Sequence, residues 1–148
     1  MSEFYEFYGK NYSLQKIVEK FNTDIKSTLV ITMDKLGAII VPKSDKILYM
    51  GWPYELGKYL ADTTGAGDAF GAGFFSYTLK PEFNNNFRAA VKQAREWAAF
   101  ACSKLGGSNL SPNSAQLNDF LSKIKPFERI EEFESNDKVI RLIDRMNA

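Results

Sequence analysis

A glycine-rich turn that leads into an apolar helix is the feature that most constrains how this chain can fold. The turn reads Asp62-Thr63-Thr64-Gly65-Ala66-Gly67-Asp68-Ala69-Phe70, and Gly71-Ala72-Gly73 follows it. Two glycines around one alanine let the backbone turn tightly and approach a ligand with no side chain in between. The apolar residues after Asp68 predict a buried helix that ends before Pro81; they are Ala69, Phe70, Ala72, Phe74, Phe75, Tyr77 and Leu79.

The start of this helix is a candidate anion site. Backbone N–H groups in the first turn of a helix have no intrahelical partner, and the helix dipole places partial positive charge at the same end. Asp68 lies in that first turn. A carboxylate beside an anion site suits phosphoryl transfer to a hydroxyl, because the carboxylate accepts the alcohol proton while the amides stabilise the phosphate charge.

Two other interpretations of the same glycines are open. Gly65, Gly67 and Gly71 form a loose dinucleotide-binding pattern, but that pattern requires a preceding strand and an acidic residue about 20 residues further on. Here a helical pattern follows, and Asp68 would face the pyrophosphate. The second interpretation is a turn of small residues packed under a helix, without a ligand. The sequence favours the anion site over both.

The segment 62–70 resembles the C-terminal signature of the ribokinase-like carbohydrate kinases, also called the phosphofructokinase B type. The resemblance implies that Asp68 is the catalytic base and that the N–H groups of Gly65, Ala66, Gly67 and Asp68 stabilise the migrating phosphoryl group. It also implies ATP and Mg²⁺, with a small-molecule sugar as acceptor; a nucleoside or vitamin kinase of the same superfamily is the alternative. The implied fold is α/β and three-layered, with a mostly parallel sheet of which this chain holds the C-terminal part with flanking helices.

A second stretch resembles the family's loop over the nucleotide phosphates. The family has Thr-x-Gly-x-x-Gly, and here Thr32 and Gly37 match while Asp34 replaces the first glycine. Aspartate tolerates a left-handed backbone better than most residues, so we expect the turn to survive. Its carboxylate would repel the phosphates unless a cation intervened. A plain hairpin turn without a ligand is the alternative.

Further site residues follow from the resemblance alone. Arg95 corresponds most closely to the position that touches the adenine, an exposed arginine being the alternative, and Gly106 and Gly107 begin the loop that faces the phosphates. Glu3 corresponds to a glutamate that organises the magnesium hydration shell; a solvated glutamate at a helix start is the alternative. Asp62 corresponds to a residue near a monovalent-cation (K⁺) site, or else is a structural aspartate that holds the turn.

Hydrophobic periodicity predicts the remaining elements. Small residues in the helix after Asn84–Asn86 should let it approach the signature helix closely, and Gly106 should stop that helix. Trp52 and Tyr54 are expected to pack rather than bind a ligand. The predicted strands are 27–32, 37–41 and 46–50, and the predicted helices are 14–21, 87–105, 114–124 and a docking helix in the charged tail 126–148.

Composition narrows the possible function classes. The chain has 148 residues, which is one domain's worth, so we expect 1–148 to be a single domain. A net charge of +1 gives no electrostatic case for binding nucleic acid or an anionic membrane. The absence of histidine excludes histidine catalysis, and the single Cys102 fits a reducing, cytoplasmic setting. No apolar run approaches the roughly 20 residues of a membrane span.

Enzymes of the resembled family are about twice this long, and their sugar-binding residues and lid lie mainly in the N-terminal half. We therefore expect a C-terminal portion that lacks this half and whose activity in isolation the resemblance does not guarantee. A non-catalytic nucleotide-binding or interaction fragment is the alternative from another class. Because a partial sheet leaves an unpaired edge and an exposed apolar face, we also expect self-association or pairing with a separate N-terminal half.

Overall fold

The computed structural model describes residues 16, 27–43, 48–106, 111–124, 129–134 and 141. The predicted helix at 14–21 and the predicted tail helix lie outside these residues, apart from Lys16 and Arg141, which have helical backbone conformation. Glu3 and Gly107 also lie outside them. The described residues divide into two compact units, one within the ranges 1–33, 37–50 and 131–148, the other within 34–36 and 51–130.

The described part of the first unit contains most of a four-stranded sheet. Its strands are β1 (Leu29–Thr32), β2 (Ala38–Val41), β3 (Leu48–Gly51) and β4 (Ile130–Phe133), in the order β1-β2-β3-β4. All four residues of β2 are buried, as expected for a continuous apolar run. Strands β1 and β2 are antiparallel, unlike the mostly parallel sheet of the resembled family, because the connection 33–37 is too short for a parallel crossover.

Three strands fall within or beside the predicted segments, and the fourth was missed. Strand β4 has the sequence Ile-Glu-Glu-Phe, in which two adjacent glutamates break any apolar alternation. It forms because its backbone lies next to β3, nearly 80 residues earlier in the chain. No local pattern carries that information, so β4 was not predicted. The apolar stripe predicted for the tail helix, at Val139, Ile140, Leu142 and Ile143, lies outside the described residues.

Three helices supply most of the second unit: α1 (Ala66–Thr78), α2 (Phe87–Cys102) and α3 (Ser114–Lys123). Short 3₁₀ turns occupy Asp34–Leu36, Gly57–Tyr59 and Pro81–Phe83. The described part of the chain contains no helix long and apolar enough to cross a membrane.

Side-chain caps define where α2 and α3 begin. The Asn86 side chain accepts a hydrogen bond from the Ala89 N–H at 3.1 Å, which confirms the predicted asparagine cap. At α3 the side chain of Asn113 accepts from the Gln116 N–H, and the Gln116 side chain in turn accepts from the Asn113 N–H.

Helix α2 ends three residues before the predicted Leu105. At its end the N–H groups of Ser103 and Lys104 bond to carbonyls three residues earlier, both at 3.0 Å. Such bonds tighten the last turn and redirect the chain. Leu105 consequently leaves the apolar stripe and is 84% exposed.

Helices α1 and α2 approach closely at small residues, as predicted. A Cβ atom built on Gly73 would lie 3.0 Å from Ala94 Cα and 3.0 Å from Trp97 Cγ. The Gln93 side chain donates to the Gly73 carbonyl at 2.8 Å and to Ser76 Oγ at 2.6 Å. Close backbone approach and these hydrogen bonds fix the register of the two helices.

The prediction that every apolar residue of α1 is buried was wrong. The buried positions are Ala69, Phe70, Gly73 and Phe74, which form one face of the helix. The opposite face carries Phe75, 60% exposed, and leads to Leu79, which is 82% exposed. Ala72 is exposed as well. Within this unit α2 packs against only one face of α1, so the opposite face stays exposed.

Candidate functional site

The glycine turn forms as the sequence predicts. Gly65 has φ 77° and ψ 3°, a left-handed conformation that glycine adopts without a steric penalty. Helix α1 begins directly afterwards at Ala66, two residues earlier than the apolar pattern suggested. Asp68 therefore lies in the first helical turn, and it is exposed.

The start of α1 presents backbone donors. The Ala66 N–H bonds to the Thr63 carbonyl at 3.2 Å, and the Ala69 N–H bonds to the Gly65 carbonyl at 2.9 Å. Within the described residues, no acceptor pairs with the N–H groups of Gly65, Gly67 or Asp68. Three of the four N–H groups predicted to bind an anion are thus available, because the Ala66 N–H is hydrogen-bonded within the turn.

Two glycines leave one side of the first helical turns bare. A Cβ on Gly67 or on Gly71 would meet no atom within 4 Å. Neither residue has a positive φ, and their i, i+4 spacing places them on the same helix face. Alanine would stabilise a helix interior by roughly 0.5–1 kcal/mol at such positions, so neither conformation nor space requires glycine here. Gly71 was not among the predicted site residues, although its spacing from Gly67 was a signal that could have found it.

Asp62 ties the turn to the chain after α2. Its Oδ1 accepts from the Thr64 N–H at 2.9 Å, and its Oδ2 accepts from the Gly106 N–H at 3.2 Å. The Cys102 carbonyl accepts from the N–H groups of both Ala61, at 2.9 Å, and Asp62, at 3.2 Å. The structure thus brings together two predicted site residues, Asp62 and Gly106. Asp62 also holds the turn, as expected under the alternative that it is a structural aspartate.

The hydrogen bonds lower the pKa of Asp62. The largest cause is the bond from the Thr64 N–H, followed by that from the Thr64 side chain and that from the Gly106 N–H. Each stabilises the ionised carboxylate. A carboxylate with a depressed folded-state pKa contributes stability above its unfolded pKa, and this contribution is lost as pH falls through the folded value.

Replacing Asp62 by Asn should therefore lower the melting temperature at neutral pH, because the neutral amide accepts backbone N–H groups less strongly. The difference from the parent chain should shrink as pH falls through the depressed pKa of folded Asp62, since both side chains are uncharged below it. Thermal melts between pH 7 and pH 3 measure this. A melting-temperature gap that stays constant with pH would contradict the account.

Asp34 adopts the left-handed conformation expected from its place in the loop. Its φ is 50°, Gly37 has φ 92°, and the Met33 N–H bonds to the Gly37 carbonyl at 2.7 Å. Thr32 is the last residue of β1.

Burial raises the pKa of the Cys102 thiol, and the carboxylates of Asp62 and Asp34 raise it further. Both carboxylates therefore act electrostatically at the end of α2.

The alternative of an exposed Arg95 was wrong, and the contact of Arg95 with adenine stays a prediction. Arg95 is only 3% exposed, so it is not a surface arginine. Its Nε donates to the Trp52 carbonyl, and its guanidinium lies 4.6 Å from the centre of the Tyr54 ring. The structure gives Arg95 a packing role, and Trp52 is buried as predicted.

Within the described ranges, no group of three or more aspartate, glutamate, cysteine or histidine side chains could hold a metal ion. Glu3 and Gly107 lie outside those ranges, so the structure does not place them relative to the turn. The assembled site therefore consists of the Gly65–Asp68 turn, the bare face at Gly67 and Gly71, and the Asp62–Gly106 connection.

Comparison with known proteins gives consistent matches. Residues 2–114 match the model of the pfkB family of carbohydrate kinases. Over 96 residues the chain is 28% identical to the deoxyribokinases of Salmonella typhi and Salmonella typhimurium, an alignment that covers 65% of this chain and 29% of each relative. The chain therefore spans less than a third of the length of these curated relatives.

Solved structures show the same fold. A fructokinase from Vibrio cholerae O395, bound to fructose, ADP and calcium, matches with TM-score 0.60 and 25% identity over 74% of this chain and 35% of its own. A ribokinase from Thermotoga maritima matches with TM-score 0.63 and 24% identity over 80% and 38%. An aminoimidazole riboside kinase from Salmonella enterica matches with TM-score 0.55 and 26% identity over 66% and 32%. Because the family match covers well over half of this chain and includes the signature turn, the chain belongs to the pfkB family of carbohydrate kinases.

Proposed function

We propose that this chain carries the phosphoryl-transfer part of an ATP-dependent sugar kinase, with Asp68 as the base. The observation that supports it most is the bare face at Gly67 and Gly71, which lies beside unpaired N–H groups and an exposed carboxylate. Glycine at these positions weakens the helix, and the fold gives no reason for it. Room for a phosphate against the backbone supplies that reason.

In the proposed reaction the acceptor hydroxyl attacks the γ-phosphorus of ATP. Asp68 accepts the hydroxyl proton as the new oxygen–phosphorus bond forms, and the bond from that phosphorus to the ADP oxygen breaks. The N–H groups of Gly65, Gly67 and Asp68 stabilise the charge on the transferred group. Asp62 keeps these donors in position through its bonds to Thr64 and Gly106.

The rest of the nucleotide site is proposed from Thr32, Asp34, Gly37, Gly106 and Gly107. Mg²⁺ would neutralise phosphate charge, and it commonly keeps waters and phosphate oxygens among its ligands. Glu3 remains the proposed residue for its hydration shell, and Asp62 that for a monovalent cation. Arg95, buried against Trp52 and Tyr54, is the proposed residue nearest the adenine.

The proposed acceptor is a sugar or a riboside in a cytoplasmic setting. The relatives are named deoxyribokinase, fructokinase, ribokinase and aminoimidazole riboside kinase. All are more than twice as long as the matched part, so residues that select the acceptor are proposed to lie in the portion that this chain does not span.

Replacing Gly67 by Leu tests the proposal. The leucine side chain would fill the bare face and should weaken Mg-ATP binding, measured by calorimetry, at least roughly ten-fold, since it displaces phosphate from the backbone donors. The fold should be unaffected, because no atom lies within 4 Å of the new Cβ. Ala72→Leu is the matched control: it adds a leucine to an exposed position of the same helix and should bind like the parent chain.

Parent-like binding by Gly67→Leu would contradict a phosphate site on this face. No binding by the parent chain would favour the second candidate, a non-catalytic interaction fragment. A specific observation supports that candidate: Phe75 and Leu79 are 60% and 82% exposed, in a chain that spans about a third of its relatives' length. Light scattering on the same samples measures whether the chain self-associates through such apolar surface.

A further inference from the structure

The second unit contains a cleft beside the segment that precedes the signature turn. It has a volume of about 400 Å³ and is lined by the segment 58–61, the end of α2 and one side of α3. Its base is the small core in which Phe100 of α2 contacts Phe120 of α3, with ring centroids 5.7 Å apart. No residue of the Gly65–Gly71 turn lines it. This volume is within the range of small-molecule sites.

The charge in this cleft is unbalanced. Lys58, Lys104 and Lys123 line it together with a single carboxylate, that of Asp119. Lys123 Nζ lies 2.5 Å from Asp119 Oδ2, so this pair compensates itself. In the part of the chain that the structure describes, no carboxylate lies within ion-pair distance of Lys58 or Lys104. Among the described residues, two ammonium groups at the cleft therefore have no carboxylate as counter-charge.

Aromatic rings accompany both ammonium groups. Lys58 Nζ lies 5.3 Å from the centre of the Tyr59 ring, and Lys104 Nζ lies 5.1 Å from that of Phe100. Both rings line the cleft. Cation–π contacts hold the ammonium groups near the rings, and they leave N–H donors to bind an anion. The cleft thus offers two positive charges and an apolar wall to the same ligand.

We propose that this cleft binds a phosphate monoester of a small organic molecule. A phosphate monoester carries a charge of about −1.5 to −2 at pH 7, which matches the two uncompensated ammonium groups. The organic part packs against Tyr59 and Phe100. The proposal is independent of the function of the signature turn, because the two sites share no residue.

Calorimetric titration with ribose 5-phosphate tests the proposal, using the Gly67→Leu chain so that the signature turn does not contribute. We expect saturable binding that Lys58→Met and Lys104→Met each weaken roughly five-fold, as for loss of one charge contact near the surface. Methionine keeps the apolar stem of the side chain. Lys80→Met is the matched control, since Lys80 Nζ also lies over an aromatic ring, 5.2 Å from the centre of Tyr77, but outside the cleft.

Three results would overturn the proposal. They are undiminished binding by Lys58→Met and Lys104→Met, the same loss of affinity in Lys80→Met as in those two variants, and loss of all binding in the Gly67→Leu chain with every lysine intact. Ribose and inorganic phosphate serve as further probes. Weaker binding of both than of ribose 5-phosphate supports a monoester site. If ribose bound as tightly as ribose 5-phosphate, the phosphate charge would not contribute to binding. If inorganic phosphate bound as tightly as ribose 5-phosphate, the aromatic rings would not contribute.

Discussion

Replacing Asp68 by Asn is expected to lower the rate of phosphoryl transfer by about 10²–10⁴-fold, the usual contribution of a general base. The amide cannot accept the acceptor's proton at neutral pH, whereas the backbone donors at Gly65 and Gly67 are unchanged. Mg-ATP affinity should therefore stay close to that of the parent chain. The measurement is ADP release with a panel of sugars and ribosides, beside calorimetric titration with Mg-ATP.

Glu82→Gln is the matched control for Asp68→Asn. Glu82 is an exposed carboxylate in the first turn of a short 3₁₀ segment, so its replacement removes the same charge from a helix start outside the proposed site. Parent-like transfer by Asp68→Asn would exclude Asp68 as the base. A large loss of Mg-ATP affinity would instead assign Asp68 to nucleotide binding.

Asp34→Gly in the same titration should strengthen Mg-ATP binding, because it removes a negative charge near the proposed position of the phosphates.

The parts of the site that the sequence predicts are those encoded by local backbone preference. A left-handed turn at Gly65 and the left-handed Asp34 both follow from which residues tolerate positive φ. The Asn86 cap follows from the preference of asparagine for helix starts. Each of these depends on residues within a few positions of one another, so a single sequence contains the whole argument.

The parts that it does not predict depend on residues far apart in the chain. The hydrogen bond from Gly106 to Asp62 spans 44 positions, and the contact of Arg95 with Trp52 spans 43. Arginine is usually exposed, and only the presence of a carbonyl and an aromatic ring at the same place reverses this. Strand β4 is a similar case, since its glutamates predict no strand until β3 lies beside it.

The glycines of α1 illustrate the same division within one helix. Sequence alone presents Gly67, Gly71 and Gly73 as three equivalent small residues. The structure separates them: the first two have open space around them, and the third lies against α2. Only the first two leave a face for a ligand, whereas the third serves the packing of the two helices. Replacing different glycines of the same helix is therefore expected to have opposite effects on stability.

Gly73→Ala is expected to destabilise the fold by about 1–3 kcal/mol, as overpacking of a close contact does. The added Cβ would lie 3.0 Å from Ala94 Cα, a backbone atom that cannot move without shifting α2. Separating the helices would also stretch the Gln93 bond to the Gly73 carbonyl, now 2.8 Å. Thermal unfolding followed by circular dichroism measures the change, which corresponds to a melting-temperature decrease of roughly 2–12 °C for a domain of this size.

Gly71→Ala is the matched control, two residues earlier in the same helix. It meets no atom within 4 Å, so it should stabilise the chain by about 0.5–1 kcal/mol through helix propensity alone. The two variants are thus expected to move the melting temperature in opposite directions. If Gly73→Ala also raised it, the space between Gly73 and Ala94 would be larger than the 3.0 Å from the built Cβ to Ala94 Cα implies. If Gly71→Ala lowered it, the bare face would be a packed surface, and room for phosphate would no longer explain its glycines.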